Sequence, residues 1–283
     1  MKPRWFEFHN PGSVEEALAL AKEHEDDFMY YAGGTEAVIG LKERVLAAGH
    51  LINLKKIPGL DAILLDDGIL RIGALVTHQR LADSPVVRQV LPGYAALSEN
   101  VANIRVRSAG TLAGNLCFAE PNADPPALLA ALDATLALAG PDGVRTVSVR
   151  DFFDGPYSTV REEIEILTEI AIPVGEGNLR SAYRKVVYLN RPSAGVAAVR
   201  RCSGDKPTWE IWAGSITGQP ERLDAVCELL NEIDSVDEDR IVGAARRDME
   251  TRSILEGLHG SEDYRKHLVT VLAVRSVRGV LND

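Results

Sequence analysis

The sequence predicts an α+β fold, and three observations support that prediction. Residues 1–55 contain a compact unit of strand, turn, helix and strand. Residues 56–176 combine short helical stretches with apolar runs joined by Asp-Gly turns, which are typical of β-hairpins. Residues 177–283 begin with strand-like runs and end with three helical patterns. Hairpins and helices grouped in this way favour α+β over a doubly wound parallel sheet.

The first block opens with a helix. Ser13 and Glu16 have the spacing of a capping box, and apolar residues follow at helical intervals as far as Ala21. Gly33-Gly34 marks a sharp turn after a buried apolar run. The predicted elements are a helix that ends near residue 24, a strand over 28–32, a helix over 35–45 and a strand over 51–54.

The second block alternates hairpins with helices. Asp66-Asp67-Gly68 separates two apolar runs, and Pro141-Asp142-Gly143 separates two more. The predicted strands cover 62–65, 69–72, 134–139, 146–149 and 164–172, and the predicted helices cover 77–82, 85–90, 94–102 and 126–133. The composition of residues 173–178, Pro-Val-Gly-Glu-Gly-Asn, predicts a linker.

The third block follows this linker. Its predicted strands cover 182–188, 195–201 and 209–213, and its helices begin near residues 220, 235 and 261. A chain of 283 residues can form two hydrophobic cores, because single domains usually contain roughly 100 to 150 residues. We therefore predict two domains, 1–176 and 177–283, with the first divided into subdomains of about 1–55 and 56–176.

The charge of the chain excludes one class of partner. The chain has 31 Lys and Arg against 41 Asp and Glu, a formal charge of −10, and this acidic excess lies in residues 1–176. A chain without a basic tract lacks the attraction to phosphate on which nucleic-acid binding depends. No apolar run approaches the roughly 20 residues of a membrane span. We expect neither a nucleic-acid partner nor a membrane span.

The cysteines indicate how the chain is stabilised. Cys117, Cys202 and Cys227 are an odd number and do not have the spacing of metal ligands. This pattern predicts neither a disulfide framework nor a zinc or iron–sulfur site, so we expect no metal on this chain. The first residues show no signal-peptide pattern, and together with the unpaired cysteines this favours a cytoplasmic location.

Two glycine-rich segments have the composition of ligand-binding loops. In residues 32–36, glycines without Cβ atoms let backbone N–H groups point into one concavity at the start of a helix, an arrangement that binds phosphate. In residues 110–115, small side chains allow close approach of a ligand, and Asp124 could accept a hydrogen bond from a sugar hydroxyl. Neither segment is a Rossmann fingerprint or a P-loop. A tightly packed turn explains the first segment equally well and the second slightly better. Facing each other across a cleft, however, they could hold both halves of a dinucleotide.

The two loops belong to a longer series of motifs. The main ones are Phe8-x-x-Pro11-x-Ser13, Ala32-Gly33-Gly34-Thr35, Ile72-Gly73-Ala74, Thr77-His78, Ile104-Arg105, Gly110-Thr111-Leu112-Ala113-Gly114-Asn115, Ala123-Asp124-x-Pro126, Tyr183-x-Lys185, Arg191-Pro192 and Asp263-Tyr264-Arg265. In their order along nearly the whole chain, these motifs resemble the FAD-binding medium subunit of the molybdenum hydroxylases. That family includes xanthine dehydrogenase and aerobic carbon monoxide dehydrogenase.

The resemblance implies a fold and a set of site residues. The fold would be a two-subdomain FAD-binding domain of the vanillyl-alcohol oxidase and p-cresol methylhydroxylase type. A smaller C-terminal α+β domain with a three-stranded antiparallel sheet and a helical bundle would follow it. The cofactor-binding residues would be Ala32, Gly33, Gly34, Thr35, Glu36, Thr111, Leu112, Ala113, Gly114, Asn115, Asp124, Leu167 and Lys185. No catalytic residue is implied on this chain.

Two of these residues depart from the family pattern. Ala113 stands where the family usually has glycine, and Glu36 stands where a small polar residue is usual. An alanine is tolerated if its φ is negative. A carboxylate at position 36 would repel a diphosphate unless it points away or the position contributes only its backbone N–H.

The resemblance also implies a function in electron transfer. FAD on this chain would receive electrons from [2Fe–2S] clusters in a small partner subunit and pass them to an external acceptor, while a large molybdopterin-bearing subunit oxidises the substrate. The assembly would be a dimer of heterotrimers. Two alternatives stay open: a stand-alone flavin oxidoreductase of the same fold, and a flavin-free scaffold in which the glycine loops are only turns. The missing Rossmann fingerprint disfavours a nicotinamide dehydrogenase.

Overall fold

A computed structural model describes residues 2–175, 179–202, 206–233 and 235–282. Within these ranges the chain forms three β-sheets with flanking helices. We name them the N-terminal, central and C-terminal sheets. The first is parallel and the other two are antiparallel, which confirms the α+β prediction. In the same ranges, no helix is both long enough and apolar enough to cross a membrane.

The N-terminal sheet and its helices come first. In chain order the elements are β1 (Glu7–His9), α1 (Val14–Glu23), β2 (Phe28–Tyr31), α2 (Ala37–Glu43) and β3 (His50–Asn53). The strands pair in the order β1-β3-β2. Helix α1 begins as predicted because the Ser13 hydroxyl accepts from the backbone N–H of Glu16 at 3.1 Å. Sequence reasoning missed β1, since it has three residues and two of them are exposed.

The central sheet is built from the next segment of the chain. In chain order the elements are β4 (Ile63–Asp66), β5 (Ile69–Gly73), α3 (His78–Asp83), α4 (Pro85–Val90), α5 (Pro92–Glu99), α6 (Ile104–Ala109), α7 (Leu112–Phe118), α8 (Pro125–Ala131), β6 (Thr135–Gly140), β7 (Gly143–Ser148) and β8 (Ile166–Pro173). The strand order is β4-β5-β8-β6-β7. Helices α6 and α7 were not predicted. Helix α7 forms inside the glycine-rich segment because Thr111 caps it, accepting from the Gly114 N–H at 3.1 Å.

The C-terminal sheet completes the fold. Its elements are β9 (Leu179–Tyr188), β10 (Arg191–Cys202), β11 (Pro207–Gly214), β12 (Glu221–Arg222), α9 (Asp224–Glu232), α10 (Glu238–Glu250) and α11 (Glu262–Asn282). The strand order is β12-β11-β10-β9, so the three predicted strands are joined by a fourth. Strand β12 lies where a helix was predicted to begin, and its two residues are too few to show an alternating pattern.

Both faces of the C-terminal sheet are covered. Helices α9, α10 and α11 pack on one face around a buried apolar cluster. Helices α5 and α8 pack on the other face, where Tyr183 and Trp212 join the core of the central sheet. This packing brings β9 next to the loops that precede α6 and α8, where Lys185 contacts Asn100 and Asp124. The predicted domain boundary at 176/177, within the predicted linker, lies outside the described residues, and the division into two domains stays a prediction.

Candidate functional site

The two glycine loops, residues 32–36 and 110–115, lie directly against each other. A Cβ atom added to Gly33 would lie 2.8 Å from Gly110 Cα and 3.0 Å from Thr111 N. A Cβ atom added to Gly110 would lie 3.4 Å from the Thr35 hydroxyl. These distances leave no room for a side chain at Gly33. We call the paired loops the glycine cradle.

The first loop presents a row of backbone donors. Among the described residues, the N–H groups of residues 33–36 have no hydrogen-bond acceptor. Gly34 has a φ of +72°, a conformation that residues with a Cβ atom rarely adopt. Helix α2 starts immediately afterwards, at Ala37. Successive unpaired N–H groups at a helix start are suited to binding an anion.

The second loop is fixed by the segment that follows β5 and by the first residue of α3. His78 N donates to Gly110 O at 3.1 Å, and Leu112 N donates to Val76 O at 3.0 Å. The His78 side chain is buried, and this burial, with a smaller contribution from the Arg107 guanidinium, lowers its pKa to about 4. A neutral imidazole therefore packs beside the loop at neutral pH. His78 belongs to the recognised motif series, but its supporting role could not be read from the sequence.

The residues of α7 contribute to the site in different ways. Ala113 is buried within the helix and has a negative φ, so its extra methyl group is accommodated. The Leu112 side chain is fully buried, which leaves only its backbone for a ligand. Asn115 Oδ1 is also buried and has no hydrogen-bond partner among the described residues. That oxygen is available to accept a hydrogen bond from a ligand.

Leu167 is predicted to lie near the cofactor through its backbone. Its side chain is buried in the central core, and in β8 it pairs with Leu138 of β6. Strand β8 packs against α7, which begins in the second glycine loop. This position is compatible with a backbone role, whereas the side chain is occupied by core packing.

Asp124 and Lys185 form a buried ion pair. Lys185 Nζ lies 2.6 Å from Asp124 Oδ2 and also donates to Asn100 O at 2.9 Å. Burial raises the pKa of Asp124, and the Lys185 ammonium opposes that rise. Asp124 Oδ1 is buried without a hydrogen-bond partner in the described part of the chain. The pair joins β9 to the start of α8, and the buried Tyr183 hydroxyl lies close enough to the same carboxylate to act to lower its pKa.

Glu36 lies near a cationic side chain. It occupies the N-cap position of α2 without making a side-chain capping bond. Burial acts to lower the pKa of Arg191, but the carboxylates of Glu120 and, to a smaller extent, Glu36 raise it above its ordinary value. Arg191 is paired with Glu120, which also accepts from the Tyr157 hydroxyl at 3.0 Å. This charged group was missed because Glu120 and Tyr157 belong to no motif and meet Arg191 only in the fold.

The observed groups fit a dinucleotide with a diphosphate. The cradle offers N–H donors to the diphosphate, and Asn115 and Asp124 offer unpaired acceptors to hydroxyl groups. The cradle contains no lysine, so the donors are neutral backbone dipoles. The residues present therefore fit FAD.

Glu36→Ser is expected to tighten FAD binding about fivefold at low salt, because two like charges about 4 Å apart in water repel by about 1 kcal/mol. Titration of the flavin-free chain with FAD measures the change. Glu43→Ser, at the other end of α2, is the matched control. The gain should shrink as salt rises. Weaker binding by Glu36→Ser would mean that the Glu36 side chain supports the site.

Comparison with known proteins gives the family. The profile described as "FAD binding domain in molybdopterin dehydrogenase" matches residues 4–175. The carbon monoxide dehydrogenase medium chain of Hydrogenophaga pseudoflava is 37% identical over 207 residues, 72% of each chain. The nicotine 6-hydroxylase medium subunit of Paenarthrobacter nicotinovorans is 29% identical over 281 residues, 98% of each chain.

A solved structure agrees along the full length. A chain in the structure of Hydrogenophaga pseudoflava carbon monoxide dehydrogenase lacking the Mo-pyranopterin moiety superposes with a TM-score of 0.94 at 31% identity, covering 100% of this chain and 99% of that one. The predicted fold and the predicted cofactor are thus confirmed at the level of the family. The chain, with its two glycine loops in contact, belongs to the family of FAD-binding domains of the molybdopterin dehydrogenases.

Proposed function

We propose that this chain is the FAD-binding electron-transfer subunit of a molybdenum-containing hydroxylase or dehydrogenase. The observation that carries the proposal is the contact between the two glycine loops. In the first of these loops, the N–H groups of residues 33–36 have no acceptor among the described residues. Four consecutive N–H groups without acceptors, at a helix start and against a second glycine-rich loop, form an arrangement suited to binding an anionic diphosphate. The match to the FAD-binding domain of molybdopterin dehydrogenases supports a molybdenum-containing complex.

The residues of the site then have separate roles. The N–H groups of residues 33–36 hold the diphosphate, and Asn115 Oδ1 and Asp124 Oδ1 accept from hydroxyl groups. Lys185 holds Asp124 in place, and the backbone near Leu167 would border the flavin. Bound FAD supplies the ability to accept electrons singly and release them as a pair. The chain itself provides position, exclusion of water and electrostatics.

The partners follow from the same proposal. The relatives named above are a medium chain and a medium subunit. We infer a small subunit with [2Fe–2S] clusters as electron donor, a large subunit with the molybdopterin cofactor, and assembly as a dimer of heterotrimers in the cytoplasm. Those relatives are named for carbon monoxide and for nicotine, so the substrate is selected on the large subunit rather than on this chain.

Isolation of the native complex through a tag on this chain tests the proposal. We expect one FAD per chain, two co-purifying subunits, and molybdenum and iron in the preparation. Addition of the oxidisable substrate should bleach the flavin absorbance before an external acceptor is added. Loss of flavin absorbance before any acceptor is added shows that electrons from the substrate reach this chain.

Other results would contradict this function. A chain that binds FAD but isolates without partners and oxidises a small substrate is a stand-alone flavin oxidoreductase. A chain that retains no flavin, even after reconstitution with excess FAD, is a scaffold whose glycine loops are only turns.

A further inference from the structure

Three histidines converge on one side of the N-terminal sheet, away from the glycine cradle. His9 ends β1, His24 follows α1 and His50 begins β3. Each offers a ring nitrogen, and these nitrogens lie within 4.8 Å of one another. His9 Nε2 and His50 Nδ1 are 3.0 Å apart. All three residues are half-buried, so their rings remain accessible to an ion from solvent.

The fold holds the three histidines from separate elements. Parallel pairing places Glu7 opposite His50, and His9 lies two residues further along the same face of β1. The backbone of Asp27 connects the other two, because Asp27 N donates to His24 O and Asp27 O accepts from His50 N, both at 3.0 Å. The rings of His24 and His50 are parallel, with centroids 3.6 Å apart. Sequence spacing gave no signal, since the histidines are far apart in the chain.

We propose that His9, His24 and His50 bind one divalent transition-metal ion, with zinc as the first candidate. Neutral imidazole is a preferred ligand of zinc, copper and nickel. A tetrahedral zinc with bonds of about 2.0 to 2.1 Å needs ligand nitrogens roughly 3.3 Å apart. The nitrogens lie within 4.8 Å of one another, and those of His9 and His50 are 3.0 Å apart, so a rotation that separates the stacked rings of His24 and His50 would bring all three to that spacing.

A fourth ligand and a favourable charge are also present. Glu7 Oε2 lies 3.9 Å from His50 Nδ1, within reach of a bound ion, and a water molecule is the other candidate for that position. Residues 23–27, Glu-His-Glu-Asp-Asp, add acidic groups to the same end of α1. This local negative charge attracts a cation.

The ion would act as a structural clamp. It would tie the short strand β1 and the end of α1 to β3. His50 pairs with Phe28 at the start of β2, whereas the first glycine loop follows Tyr31 at its end, about 10 Å away at the usual rise per residue. The metal site is thus separate from the cradle and does not rest on the proposed function.

Zinc titration of the full chain tests the site. The chain is produced without a polyhistidine tag, freed of metal with a chelator, and titrated with Zn²⁺ in competition with a chromophoric chelator. We expect one zinc per chain with micromolar or tighter affinity, and an unfolding midpoint that rises with zinc concentration. Co²⁺ in place of zinc should give the visible absorption of a tetrahedral site.

Single variants distinguish this site from adventitious binding. His24→Gln is expected to weaken zinc binding about tenfold or more, because it removes one of three ligands. His267→Gln in α11 is the matched control and should bind like the parent chain. His50 lies in strand β3, so a change there also disturbs the sheet. His24 lies outside the sheet, and the test therefore uses His24→Gln. FAD affinity should be unchanged by His24→Gln.

Two results would overturn the proposal. The first is the absence of stoichiometric zinc binding by the parent chain. The second is parent-like affinity in both His9→Gln and His24→Gln. Either result would show that the rings only stack and hydrogen-bond with one another.

Discussion

Gly33→Val is expected to abolish FAD binding, lowering affinity by about a hundredfold or more. An added Cβ would lie 2.8 Å from Gly110 Cα, so a branched side chain must push the two loops apart. The contact is with backbone, which cannot rotate away as a flexible side chain can. The N–H groups of residues 33–36, which have no acceptor in the fold, would then be displaced from the positions in which we propose that they hold the diphosphate. Flavin absorbance of the purified variant, before and after addition of FAD, measures the loss.

The matched control is another glycine-to-valine change. Gly243 lies inside α10, and nothing lies within 4 Å of the position that its Cβ would take. Gly243→Val should retain flavin at the level of the parent chain. Circular dichroism of both variants checks that the fold persists. A folded Gly33→Val chain that keeps its flavin would show that the cradle is not the FAD site.

The negative charge of residues 1–176 explains why FAD affinity should depend on the geometry of the cradle. Residues 1–176, which carry the cradle, contain the whole acidic excess of the chain, and FAD is itself an anion. Bulk attraction therefore does not recruit the cofactor to this region. Affinity must come from oriented N–H dipoles at short range, whose effect depends on loop geometry rather than on net charge. A change in geometry at Gly33 should consequently change FAD affinity far more than removal of the Glu36 charge does, and in the opposite direction.

Much of the fold could be predicted because its signals are local. The capping residue Ser13 marks the start of α1, and apolar runs mark the longer strands. Strands β1 and β12 could not be predicted, because two or three residues cannot show an alternating pattern. Helix α7 was hidden for a different reason. Its glycines indicate a loop, but Thr111 caps a helix there.

The site was less accessible to sequence reasoning because its contacts are long-range. The motif series names Gly33 and Gly110, but their contact depends on how the N-terminal unit packs on the central one. Lys185 meets Asp124 only because the C-terminal sheet packs against α5 and α8. The pairing of Arg191 with Glu120 likewise arises from the fold. Such contacts join segments that share no local pattern.

Lys185→Met is expected to lower the free energy of unfolding of the flavin-free chain by about 3 to 5 kcal/mol at neutral pH. The reason is that Asp124, which is only 5% exposed, would keep its charge without the ammonium 2.6 Å away. Burial would then raise the pKa of Asp124 further above that of the unfolded chain. Urea denaturation of the parent and variant chains, at neutral and at mildly acidic pH, measures the difference.

The pH dependence separates lost charge compensation from lost packing. A carboxyl group whose folded pKa is raised penalises folding fully above that pKa. The penalty shrinks as pH falls below the folded pKa and is lost below the pKa of the unfolded chain. The deficit of Lys185→Met should therefore shrink in acid, and adding Asp124→Asn should restore part of the stability at neutral pH. Lys266→Met, which breaks the more exposed Lys266–Glu262 pair on α11, should cost less than about 1 kcal/mol. The loss in free energy of unfolding could instead be the same at both pH values and in the double variant. That result would mean that Lys185 stabilises the chain through packing of its aliphatic part, and that the Asp124 charge costs nothing when the ammonium is removed.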